Sequence, residues 1–68
     1  MKNRIRIERA ILNISQQQLA EKVKVSRQTI NAIELEKYVP SALVVMKIAC
    51  VFGKSVNEVF ELEEKDWQ

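Results

Sequence analysis

Apolar residues return at helical spacing along most of this chain, and the clearest run is Ser15–Leu35. Leu19, Ala20 and Val23 form one apolar stripe, and Ile30 and Ile33 form another. Ser15 followed by Gln18 is a capping box, which predicts a helix over Gln16–Val23. Ser26 is a second N-cap and opens a helix from Arg27 to about Leu35. Val25 lies between the two, where it can plug the angle they make. Ala20 is small enough to let the second helix cross close to the first.

The same pattern extends to either side. Arg4–Leu12 predicts a first helix anchored by Ile5, Ile11 and Leu12, with Asn13 near its end. Pro40 stops any helix before it, and Ser41 caps a fourth helix that runs through Phe52, with Gly53 as its left-handed stop. Its expected core face is Ala42, Val45, Met46, Ala49 and Phe52. Leu43, Val44, Cys50 and Val51 leave the other side apolar too, and such a helix calls for cover, from a fifth helix or from a second subunit. Ser55 and Glu58 make a second capping box, opening helix five from Val56 to about Phe60. The tail alternates through Glu61, Leu62 and Glu63, which suggests a short strand, and Trp67 either packs there or stands in solvent. Met1–Asn3 either frays or pairs as a strand. The expected class is all-α, five helices in one domain over residues 1–68.

Composition narrows the function classes. At 68 residues and 47% apolar, the chain suits a single small folded domain and not a disordered one. The single Cys50 excludes an internal disulfide, and with no His no metal-ligand set is expected. No cofactor is expected either. No signal peptide or membrane-length apolar run is visible, so a reducing cytoplasm is the expected compartment. No glycine-rich phosphate loop and no nucleophile with a base beside it argue for an enzyme. Charge is more informative in its distribution than in its total of +2. Through residue 41 there are eight basic and four acidic residues, a net +4; after it there are three basic and five acidic, a net −2. The basic half carries the two-helix run, and the acidic half is suited to lying away from phosphate.

If Ile30 and Ile33 hold the helix that starts at Arg27, its other face is free. Arg27 suits guanine or phosphate, Gln28 suits adenine N6 and N7, and Thr29 offers a hydroxyl and a methyl. Asn31 lies one turn beyond Arg27, and Ala32 one turn beyond Gln28, where it can meet a thymine methyl. Each of these alone is an ordinary exposed side chain. Together, on one face of a held helix, they follow the logic of a helix-turn-helix over residues 16–35. Gln16, at the start of the preceding helix, is placed to meet a phosphate.

The run ISQQQLAEKVKVSRQTINAIELEKYVPS resembles the helix-turn-helix of the Cro/cI-type regulators, the xenobiotic-response-element family, in its small free-standing form. The resemblance extends from Asn3 to Leu62. It departs from the family at Lys24 and Glu36, where glycine or asparagine is usual, and at Glu8, where an apolar residue is usual and a slight rotation of helix one is implied. If Lys24 and Glu36 are left-handed, each costs roughly 1 kcal/mol against Gly. The resemblance implies that Arg9 pairs with Glu34, against the plainer reading of a solvated arginine. It implies that the Glu36–Pro40 loop lies along the DNA backbone, Lys37 on a phosphate and Tyr38 beside it or simply packed, and Ser26 joins the expected DNA-binding residues. It also implies a small antiparallel ribbon between tail and N-terminus.

The reading that follows is a homodimer binding a specific, near-palindromic double-stranded DNA operator, with residues 27–35 in the major groove, most simply as a repressor. A C-terminal segment of about residues 55–67 is the expected dimer seam, through Val56, Val59, Phe60 and Leu62. The alternative is a protein-binding module, an antitoxin or anti-regulator on the same fold. No small-molecule ligand and no membrane partner is expected.

Overall fold

The computed structural model describes all 68 residues, in the order β1 (Lys2–Asn3), α1 (Ile5–Leu12), α2 (Gln16–Val23), α3 (Arg27–Glu34), α4 (Ala42–Phe52), α5 (Val56–Val59) and β2 (Phe60–Glu61), followed by a 3-10 turn over Glu64–Trp67. The fold is mostly helical with a minimal sheet: β1 and β2 pair antiparallel, Lys2 opposite Glu61 and Asn3 opposite Phe60. No helix is long and apolar enough to cross a membrane.

Helices of eight residues are marginal in isolation, so caps and packing must hold them. In α2 the capping box closes both ways: Ser15 Oγ accepts from Gln18 N at 3.0 Å, and Gln18 Oε1 accepts from Ser15 N at 2.8 Å. Ser26 Oγ accepts from Thr29 N at 3.1 Å and Ser41 Oγ from Val44 N at 3.4 Å. α1, α2 and α4 each end one residue before a left-handed residue, Asn13, Lys24 and Gly53, and α3 ends two residues before another, Glu36. Lys24 and Glu36 (φ 64° and 61°) therefore do carry the strain that their types imply. The return hydrogen bonds Val25 N to Ala20 O and Lys37 N to Ala32 O offset it.

One core joins the five helices and β2. Ile5 of α1, Leu19, Ala20 and Val23 of α2, Ile30 and Ile33 of α3, Ile48, Ala49 and Phe52 of α4, Val59 of α5 and Phe60 of β2 are buried together. Removing such side chains from water contributes about 1.5–3 kcal/mol for each large one. Three expectations change here. In α1 only Ile5 is an anchor, because Ile11 (66% exposed) lies on the far side of the helix and Leu12 sits half out at its end. In α4 the core face is Ile48, Ala49 and Phe52, with Val44, Val45 and Val51 at its edge, while Ala42 and Met46 are exposed. A helix apolar nearly all round has no phase in its pattern, so spacing could not say which stripe turns inward. Val59 and Phe60, 1% and 4% exposed, belong to this chain's own core and so are not free to form a dimer seam.

The tail is also different from its alternation. The strand ends at Glu61 because β1 offers only two residues to pair with. Glu63 N then donates to Asp66 Oδ2 at 2.7 Å, and the Met1 ammonium sits 3.1 Å from both Glu63 Oε1 and Asp66 Oδ2. The Glu63 amide, and after it the ammonium, hold the Asp66 carboxyl below its usual range; Asp66 and then Glu63 raise the amine. Trp67 stands in solvent.

Glu8 is the one charged residue in the buried set, 2% exposed. Lys54, just beyond α4, reaches it with Nζ 2.9 Å from Oε2. A carboxylate that deep is costly without a partner. Truncating Lys54 to Ala is expected to lower stability in chemical denaturation by about 1–3 kcal/mol, less than for a fully buried pair because water still reaches the lysine. The same truncation in a Glu8→Met background should cost little. Equal losses in both backgrounds would show that Lys54 acts without Glu8.

Candidate nucleic-acid interface

The candidate surface is built on α2, α3 and the connection between them. Lys24 closes α2, Val25 tucks half-buried against the core, and Ser26 opens α3. Ala20, 1% exposed, lets the two helices meet closely. Because Ile30 and Ile33 face the core, Arg27, Gln28 and Asn31 project into solvent on the other side, with Thr29 and Ala32 half-buried beside them. Ser26 and Thr29 are turned to each other, their hydroxyls 2.9 Å apart. Lys37 is exposed just past α3, its backbone N–H held by Ala32 O at 2.9 Å. Tyr38 is half exposed, while Pro40 next to it is buried.

Behind this face is a charged anchor. Arg9 Nε donates to Glu34 Oε2 at 2.7 Å and Arg9 Nη2 to Glu34 Oε1 at 3.1 Å, a two-point grip that suits the planar guanidinium. Arg9 Nη1 also donates to Ile14 O at 3.1 Å, so one side chain ties α1, the α1–α2 connection and α3. The Glu34 side chain is only 2% exposed. A second strap comes from the ribbon: Asn3 Nδ2 donates to Ile33 O at 2.8 Å, and Asn3 Oδ1 accepts from Ile5 N at 3.2 Å.

Gln16 is placed differently from its expected contact with phosphate. Its Nε2 donates to Asn31 Oδ1 at 3.1 Å and to Glu34 Oε1 at 3.3 Å, so both amide hydrogens are taken by other side chains of the protein. Only the start of α2 is left for a phosphate there. Arg6 was not singled out from the sequence. It is well exposed, with Nε 3.9 Å from Glu34 Oε1, which puts another cation beside the start of α2. Its i, i+3 relation to Arg9 was the available signal. Asn3 had none, since its partner lies far along the chain. Of the expected seam residues, Val56 is half-buried against the core and Leu62 is exposed, so they do not form one surface with Val59 and Phe60.

The helix-turn-helix family model HTH_3 matches residues 5–59. The chain is 46% identical to an uncharacterized HTH-type transcriptional regulator of Methanocaldococcus jannaschii over 66 residues, 97% of this chain and 100% of that one. It is equally 46% identical over 66 residues to the uncharacterized HTH-type transcriptional regulator YgzD of Bacillus subtilis, with the same coverage. A similar regulator of Archaeoglobus fulgidus is 39% identical over 69 residues, covering 100% of this chain and 97% of the relative. With the capped α2–α3 pair and its Arg9–Glu34 anchor, these similarities place the chain in the Cro/cI-type helix-turn-helix family of DNA-binding transcriptional regulators.

Proposed function

We propose that this protein binds a near-palindromic DNA operator as a homodimer and represses transcription, with α3 in the major groove. The observation that carries the reading is the attitude of α3. Two isoleucines and Glu34 fix its inner side, and Arg27, Gln28 and Asn31 share the outer one. Arg27 and Gln28 open that face and read bases. Lys37 and Arg6 contact the sugar-phosphate backbone, as does the N-terminal end of α2, and Tyr38 lies along it. Occupying a promoter requires no surface beyond these, which favours repression over activation. Cytoplasmic DNA is the expected setting.

A second copy supplies the second recognition helix, about one helical turn away on the operator. With Val59 and Phe60 in the core, the apolar stripe that α4 leaves exposed for it is Leu43, Met46 and Cys50, on one side of the helix. That α4 stripe equally favours a second reading, a module that docks on a partner protein. Salt-dependent binding to one DNA sequence separates the two.

Selection from a random duplex pool, followed by titration, tests base reading. Arg27→Ala or Gln28→Ala is expected to cost on the order of 1–3 kcal/mol on the selected site and little on random DNA. Equal losses on both would demote these residues to backbone contacts. Lys37→Ala should weaken binding to every sequence and lower the salt slope by roughly one.

For the dimer, sedimentation of the intact chain should give twice 7.9 kDa, and Met46→Glu should give the monomer with its thermal transition little changed. A monomer at concentrations well above those that saturate the operator would mean that the two copies meet only on DNA.

A further inference from the structure

We propose that Asn31 is a donor-first base reader whose polarity is set from within the protein, with Gln16 as its positioning residue. The inference rests on the reading that α3 enters the major groove.

Four side chains run in series from the interior to the exposed face: Arg9, Glu34, Gln16 and Asn31. At the inner end Arg9 grips Glu34 through Nε and Nη2, at 2.7 and 3.1 Å. As the partner of a guanidinium, Glu34 is a carboxylate, and a carboxylate can only accept. The amide atom of Gln16 that lies 3.3 Å from Glu34 Oε1 must then be nitrogen, since an oxygen there would face another oxygen. That nitrogen has two hydrogens. One is directed at Glu34, and the other meets the Asn31 amide 3.1 Å away. The Asn31 atom facing it must be the oxygen, because a second NH₂ would oppose donor to donor. Asn31 Nδ2 is therefore left on the outer side of an exposed residue. The carboxyl–amide–amide series converts one ion pair into a defined orientation for a group that could otherwise turn over.

This orientation has a consequence for the bases. A free asparagine can rotate its amide and serve either a donor or an acceptor edge. Asn31 cannot do so without setting its NH₂ against that of Gln16. It therefore favours an acceptor at its position in the groove: a purine N7, guanine O6 or thymine O4. A cytosine there offers only its N4 amino group to the contact and is rejected. Adenine remains acceptable through N7. Gln16 needs no contact with DNA to impose this preference.

The test is a base-by-base affinity profile on the selected operator, in which each position is changed to all other pairs. For the wild-type chain, one position should show cytosine disfavoured by roughly tenfold against the best acceptor base. Asn31→Asp keeps the acceptor that Gln16 needs but replaces the outward donor by an oxygen. It should invert the order at that position alone, towards cytosine or adenine amino groups. Gln16→Ala releases the amide and should flatten the same position to about threefold or less, leaving the rest of the profile in place. A merely structural role for Gln16 would lower affinity equally at every position, and that result overturns the inference. So does a wild-type preference for cytosine at the position that Asn31→Asp alters. If Arg27→Ala changes a base preference but Asn31→Ala changes none, the groove reading stands and this inference alone falls. If the pool yields no preferred sequence, base reading itself fails and the inference with it.

Discussion

A guanidinium and a carboxylate, 2.7 Å apart between α1 and the end of α3, constrain the surface that this protein presents. Arg9 and Glu34 lie far apart in the chain, and their contact sets the tilt of α3 against the first helix. Arg9 also holds the Ile14 carbonyl, and Glu34 also takes the Gln16 amide, so α2 is tied to the same point. A buried pair of this kind is a weak source of net stability, because desolvation offsets much of its attraction. Its contribution is geometric. Ile30 and Ile33 alone would hold α3 on the core while leaving it free to rock, since apolar contact has no direction. The two-point grip removes that freedom.

Around this anchor the chain uses short elements whose ends matter more than their middles. The first three helices have eight residues each, so a large share of their backbone groups lies in first or last turns. Serine caps open α2, α3 and α4, and left-handed residues close them. Lysine and glutamate occupy two of those left-handed positions at an energetic cost of about 1 kcal/mol each. The core absorbs that cost. In return, the turn places a cation, Lys24, beside the start of α3, and Glu36 sends the chain out so that Lys37 and Tyr38 emerge on the exposed side.

The ribbon and the Glu8–Lys54 pair have a related role. Asn3 carries the strand pairing of β1 directly to the last turn of α3 through the Ile33 carbonyl. Lys54 fixes α1 to the α4–α5 connection at a point where the core would otherwise hold an unpaired carboxylate. Both ends of the chain are therefore joined to α3 through hydrogen bonds, not only through the apolar core. The acidic tail folds back on the N-terminal amine and is in part neutralised there.

Local signals in the sequence were sufficient wherever a cap or a periodic stripe decided the outcome. The bounds of α2, the start of α3, the stop of α4 at Gly53 and the all-helical class were legible because Ser15, Ser26, Ser41 and Gly53 act on backbone groups within a turn of themselves. The polar outer face of α3 was legible for the same reason: Ile30 and Ile33 mark the inner one. Where no local signal existed, the reading went astray or was silent. An almost uniformly apolar α4 has no preferred phase, so only its neighbours could select Ile48 over Met46. Alternation in the tail was overridden by the length of β1 and by the Met1 ammonium. The seam expected through Val59 and Phe60 failed because the chain's own core needed those side chains. What the sequence by itself determined was which backbone segments are helical and which polar residues share the outer side of α3. Only the tertiary structure decided which way α1 and α4 turn, that Glu8 lies beside Lys54, and that Gln16 faces Asn31 and not the solvent. Those outcomes depend on residues brought together from distant parts of the chain, where neither spacing nor propensity carries information.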